Sequence, residues 1–199
     1  MDYLLYILFA FFCGALPFSV WLGKLFLGRD IRQYGDGNPG ATNVFRVGNR
    51  YVGLLVLLLD IGKAAAPVGW AYQQAGVRGV PMFLITIAPI LGHVYSPFLK
   101  FRGGKAIATA FGVWIGLTLW KAPLAGVIGS LFGIAFLSPS VWAMMLGLGA
   151  ILFALIVWLP DPLYLAVWGA EFVLLTWTHR FDLRQQPRLR PWVWKRVQR

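Results

Sequence analysis

Two short segments of this chain gather residues that could hold an anion. The first reads Gly35-Asp36-Gly37-Asn38-Pro39-Gly40-Ala41-Thr42-Asn43 and is followed by Arg46. Gly35, Gly37 and Gly40 let successive backbone N–H groups turn toward one anion, while Asn38, Thr42, Asn43 and Arg46 add amide, hydroxyl and charge. A flexible connector is the plainer reading, but connectors seldom pack glycines, asparagines and a cation so tightly. The second segment runs from Gly92-His93 through Pro97 to Lys100-Phe101-Arg102-Gly103-Gly104-Lys105, with Ala106 to Thr109 opening an apolar stretch. A Gly-Gly turn entering a helix exposes N-terminal amides and the positive end of the dipole, and Lys105 adds a full charge. It is not a nucleotide P-loop, because Leu99 and Ala106 stand where that motif needs Gly and Ser or Thr. A basic loop beside a membrane is the alternative. A third segment, His179-Arg180-Phe181-Asp182-Leu183-Arg184, reads by itself as a basic membrane anchor.

Asp60 and Lys63 stand three residues apart in an apolar run, on one helical face, and can pair there. Charges inside a span are functional candidates, and an ion pair that fixes helix packing fits them equally well. Glu171 poses the same question more weakly.

The elements that must position these residues are transmembrane helices. Hydrophobic residues make up 59% of the 199 and charged residues 13%, so lipid has to be the solvent for most of the surface. Apolar runs at 3–27, 51–72, 80–99, 107–120, 123–137, 141–159 and 163–177 predict an all-α, polytopic integral membrane protein with seven transmembrane helices. The shorter runs need tilt or a thin bilayer. Residues 1–199 then form a single domain, with a loop at 28–50 and a basic tail at 179–199. Lys24, Arg29, Arg32, Arg46, Arg50, Lys100, Arg102, Lys105 and the basic tail fall on one side, and only Arg78 and Lys121 on the other. By the positive-inside rule the N-terminus is outside and the C-terminus cytoplasmic, so all three segments emerge on the cytoplasmic side and can converge.

The net charge of +11 follows this topology and not a nucleic-acid-binding face. Met1 and Asp2 give no basic start and no small-residue cleavage site follows, so the first run reads as a helix and not a cleaved leader. Cys13 is the lone cysteine, which excludes an intramolecular disulfide and a zinc site built on cysteine pairs. Small residues at Gly112/Gly116 and Gly129/Gly133 predict close helix packing.

Over nearly its whole length the chain resembles the bacterial membrane glycerol-3-phosphate acyltransferases that use acyl phosphate as donor. The resemblance is carried by the Gly14–Pro17 turn, the Gly35 to Asn43 loop with Arg46, the Asp60/Lys63 helix, Gly92-His93 through Gly103-Gly104-Lys105 to Thr109, and His179-Arg180. It implies transfer of a fatty acyl group to the 1-hydroxyl of glycerol 3-phosphate at the cytoplasmic face of a bacterial cytoplasmic membrane, with no cofactor and no metal. Acyl phosphate is already activated, so no protein nucleophile is required and Cys13 is a packing residue. Arg46, Lys105 and His179 are the expected catalytic residues, the first two as phosphate binders and His179 as binder or proton acceptor. Gly35, Asp36, Gly37, Asn38, Gly40, Thr42, Asn43, His93, Gly103, Gly104, Thr109 and Asp182 are the expected substrate-binding positions.

The chain departs from the family pattern at Asp36, where Ser is usual, at Asp182, where Asn is usual, and at Ala106, where Gly is common. An ionised Asp only accepts hydrogen bonds and repels phosphate, by roughly 4 kcal/mol in gross Coulomb terms at 4 Å near a protein surface. Asp36, set between two glycines, is expected to face the acceptor phosphate, with Arg32, Arg46, Lys105, Arg180 and Arg184 as the cations available to neutralise the two carboxylates. A relative with a less anionic acceptor and a silent lipid-binding relative are the competing readings.

Overall fold

The computed structural model describes residues 3–192, and the chain divides into two compact units, Met1–Leu117 and Thr118–Arg199. In the first unit the apolar run 3–27 is not one helix. Pro17 has no N–H to continue the ladder, so the chain breaks into α1 (Tyr3–Ala15) and α2 (Phe18–Leu27). Carbonyls released at such a break need partners where water is excluded. Ser96 Oγ donates to the Ala15 carbonyl at 2.6 Å, and Lys63 Nζ to the Leu16 carbonyl at 3.1 Å.

The segment 28–50 is more than a hydrophilic loop. It holds a 3₁₀ turn at Ile31–Gln33, capped by Asp30, and a short helix α3 (Ala41–Arg46). Ile31 and Val44 are fully buried with Val20, Val52, Val56 and Leu99, so this apolar cluster anchors both anion-holding segments to α2 and the next helix. That helix, α4 (Arg50–Gly69), is capped by Asn49 and runs into a π turn at Trp70–Gln74.

α5 (Gly79–Val94) packs on α1 through Gly14 and Gly92, where a Cβ would overlap the partner backbone at Pro89 and Phe11. α6 (Ile107–Thr118) sets Gly112 against Ile61 and Ala64, and Gly116 against Val68 and Gly69. Backbones approach closely wherever side chains are absent, as the small-residue spacing predicts.

In the second unit α7 (Lys121–Phe136) packs on α8 (Val141–Val157), with Gly129 against Leu146 and Ala150 and Gly133 against Ala143. α9 (Pro162–Thr178) starts at Asp161, whose side chain accepts from Leu163 N at 2.8 Å. The all-α expectation is modified by one small ladder: β1 (Leu137–Ser138) and β2 (Arg188–Leu189) pair antiparallel. Arg190 N and Trp192 Nε1 extend that contact to the carbonyls of Phe136 and Ala135. The basic tail is therefore tied to the α7–α8 connection as far as Trp192, and its remainder, 193–199, lies outside the described residues.

Among the described residues, three segments are long and apolar enough to cross a membrane: Tyr3–Leu27, Arg50–Gln74 and Gly79–Leu99. The shorter apolar helices Ile107–Thr118, Lys121–Phe136 and Val141–Val157 fall below the usual ~20 residues.

Candidate active site

Two of the three sequence segments meet, and they meet on Asp36. Lys105 Nζ donates to Asp36 Oδ2 at 2.8 Å, and the Lys105 backbone N–H to Asn38 Oδ1 at 3.0 Å. Asp36 Oδ1 accepts from Asn43 Nδ2 at 3.0 Å and from the Asn38 N–H at 3.2 Å, with an Arg46 guanidinium nitrogen 3.9 Å away. Arg46 also donates to Asn43 Oδ1 at 2.9 Å, and Asn43 Nδ2 to the Asn38 carbonyl at 2.9 Å. Gly35 adopts φ +60°, and a Cβ there would overlap the Arg46 guanidinium and Asn43 Oδ1, so only glycine fits. Burial pushes the Asp36 carboxyl up, but the bonds from Lys105, the Asn38 N–H and Asn43, with the charge of Lys105, outweigh it and bring it down to about 2.

This geometry corrects the reading of the loops as open nests of amides. The N–H groups of Gly37, Asn38 and Gly40 are held by the Tyr34 carbonyl, Asp36 Oδ1 and the Asn38 carbonyl, and those of Gly103, Gly104 and Lys105 by the Val94 and His93 carbonyls and Asn38 Oδ1. The cradle does hold an anion, and that anion is the protein's own carboxylate. Arg32 pairs with Asp30 at 2.6 Å, holding that carboxyl well below the usual carboxylate range, while Arg180 and Arg184 lie over aromatic rings at Trp177 and Phe181. Asp30 was not singled out from the sequence; its place just before an Arg-containing turn was the available signal.

Gly103 and Gly104 are shaped by His93. A Cβ on Gly103 would overlap the His93 carbonyl, and one on Gly104 would overlap His93 Nε2. The buried His93 ring reaches the buried pair: Lys63 Nζ lies 2.7 Å from His93 Nδ1 and 2.7 Å from Asp60 Oδ1. Ala106 takes φ +67°, the left-handed conformation that favours glycine, which accounts for the residue usual at that place in the family. Thr42 is exposed on the first turn of α3 and makes none of these bonds. Thr109 is fully buried on α6, its hydroxyl without a hydrogen-bond partner among the described residues. It is enclosed by the fold and does not line an open surface.

The remaining site candidates belong to the second unit. His179 caps α9 and is buried, with Nδ1 2.9 Å from the Leu175 carbonyl. A carbonyl only accepts, so Nδ1 carries a proton. Asp182 begins the half-buried 3₁₀ turn Asp182–Arg184.

The fold defines an integral membrane protein, mostly helical, in which two glycine-rich segments meet at a Lys105–Asp36–Arg46 cluster. The family model described as glycerol-3-phosphate acyltransferase matches residues 4–186, and the chain belongs to that family. It is similar to the glycerol-3-phosphate acyltransferase of Maridesulfovibrio salexigens, 33% identical over 98% of this chain and 99% of that one. It also resembles the enzyme of that description from Aromatoleum aromaticum, 46% identical over 61% of each protein, so this second match spans about three-fifths of that relative's length. Among solved structures it resembles PlsY (YgiH), an integral membrane glycerol 3-phosphate acyltransferase, in its glycerol 3-phosphate form. There the TM-score is 0.84 and the identity 28%, over 92% of this chain and 91% of that one. The lysophosphatidic acid form of the same protein matches with a TM-score of 0.81 and 27% identity.

Proposed function

We propose that this protein transfers a fatty acyl group from acyl phosphate to the 1-hydroxyl of glycerol 3-phosphate, giving lysophosphatidic acid and inorganic phosphate. The observation that carries this reading is the Lys105–Asp36–Arg46 cluster, in which two cations from separate segments share one carboxylate at a solvent-open edge. A phosphate oxygen is the natural competitor for that place. In the reaction the hydroxyl oxygen bonds to the acyl carbon, the bond from that carbon to the phosphate oxygen breaks, and the hydroxyl proton leaves to a base. Lys105 and Arg46 hold phosphate charge, and His179 is the proposed proton acceptor. An open apolar groove of about 560 Å³, lined by Phe9, Cys13, Leu16, Phe18, Leu59 and Lys63 among others, suits an acyl chain entering from the bilayer. Cys13 is then a wall residue and not a nucleophile.

We place the single membrane domain, residues 1–199, in a bacterial cytoplasmic membrane with seven spans, N-terminus outside and site facing the cytoplasm. The lopsided Lys and Arg distribution supports this, and the β1–β2 pairing agrees by bringing the α7–α8 connection and the tail to one end of the second unit. Reporters fused in the 28–50 loop and after Arg199 are expected to read cytoplasmic, and one near Arg78 outside. Loop and tail on opposite sides would exclude an odd number of spans.

Phosphate release by the purified protein from acyl phosphate, with and without glycerol 3-phosphate, tests the activity. Release is expected to depend on the acceptor. The carboxylate in the anion seat favours one second reading, an acceptor with less negative charge. Release with a neutral or cationic alcohol but not with glycerol 3-phosphate would establish it, and no release with any acceptor would exclude the enzyme.

A further inference from the structure

Lys63 is buried inside α4, its side chain only 1% exposed, and an ammonium has three donors and no acceptor. Each donor has an acceptor at hydrogen-bond distance. Asp60 Oδ1 lies at 2.7 Å, the Leu16 carbonyl at 3.1 Å and His93 Nδ1 at 2.7 Å. The Leu16 carbonyl is open to Lys63 because Pro17 interrupts the helix beneath it. Since the ammonium cannot accept, His93 Nδ1 must, and a neutral imidazole then carries its proton on Nε2.

Nε2 is the atom that a Cβ at Gly104 would meet first, so the absent side chain at 104 leaves this N–H facing the turn that carries Lys105. The amides of Gly103, Gly104 and Lys105 are already held within the protein. His93 Nε2–H is therefore a donor at this turn beside the Lys105 ammonium. Lys63 also forms part of the wall of the apolar groove.

We infer that Asp60 and Lys63 are positioning residues that lock His93 in its Nε2–H tautomer, and that this N–H donates to an oxygen of the acyl donor seated against Gly104. The second half rests on the acyltransferase reading above. Without the lock, a neutral imidazole divides itself between two tautomers and turns a lone pair toward the substrate oxygen part of the time. A donor that does not have to reorganise is worth most in a water-poor site.

The test uses the full chain in detergent with ¹⁵N-labelled histidine. His93 and His179 are its two histidines, so two imidazole spin systems report the tautomers directly. The native protein is expected to show His93 with a protonated Nε2 and a bare Nδ1. The double variant Asp60→Asn with Lys63→Met, which leaves no unpaired buried charge, is expected to show mixed tautomers. Its kcat should fall by about a hundredfold, with the KM for glycerol 3-phosphate within about twofold of native. A merely structural pair would leave the tautomer unmoved. A proton on Nδ1 in the native protein, as a neutral Lys63 would permit, overturns the lock without any variant having to fold. Loss of the tautomer with unchanged kcat overturns the role of the N–H. A native protein with the expected tautomer and no acyl transfer supports the lock and overturns the functional reading.

Discussion

Replacing Lys105 with alanine is expected to reduce acyl transfer by about a hundredfold or more while the protein stays folded in detergent. The side chain is a quarter exposed and ends at the edge of the cradle, so its removal leaves no cavity in the helix packing. On the proposed reaction it removes a full charge from the place where the departing phosphate would gain charge, and such groups contribute ~2 to 4 kcal/mol to the transition state. Arg46→Ala should act in the same direction, and it also releases Asn43, whose Oδ1 it holds at 2.9 Å. Near-normal turnover by a well-folded Lys105→Ala protein would remove the phosphate clamp from the mechanism. Cys13→Ser, in the groove wall, should change little.

Asp36→Ser is expected to lower the KM for glycerol 3-phosphate by roughly tenfold, because it frees Lys105 and Arg46 from an internal anion and restores a donor where phosphate would sit. The sign with pH follows from the lowered carboxyl. Its ion pair is fully formed above the ordinary value of 3.8 and is lost only as pH falls through about 2, so the difference between native and Asp36→Ser should be constant across neutral pH. An unchanged or higher KM in the variant would assign Asp36 to holding Lys105 in place, and would favour the acceptor with less negative charge.

Much of the architecture was legible in the chain. Long apolar runs and glycines spaced for close packing are local signals, and helices follow local signals because their hydrogen bonds close within four residues. The break at Pro17 had a local sign as well, yet an uninterrupted hydrophobic run from 3 to 27 masks it. The short helix Ala41–Arg46 was hidden for the opposite reason. Its glycine- and asparagine-rich approach reads as loop, and the helix is held by burial of Val44 against residues distant in sequence.

Residue types and spacings alone determined the membrane class, the glycine-bearing loops and the identity of Lys105 and Arg46 as candidate anion holders, since each rests on composition or short-range pattern. Asp60 and Lys63 could also be paired from their spacing. What only the tertiary structure decided is which groups face which. Asp36 and Lys105 are 69 positions apart and Lys63 and His93 are 30 apart, and no periodicity encodes a contact across such distances. Of the loop amides, whose freedom the glycines suggested, those of Gly37, Asn38 and Gly40 are claimed by Tyr34, Asp36 and Asn38 within their own segment, and those of Gly103, Gly104 and Lys105 by the His93 and Val94 carbonyls and Asn38 Oδ1. A buried donor finds the nearest acceptor the fold supplies, and here that rule turned an expected phosphate nest into a carboxylate-filled cradle.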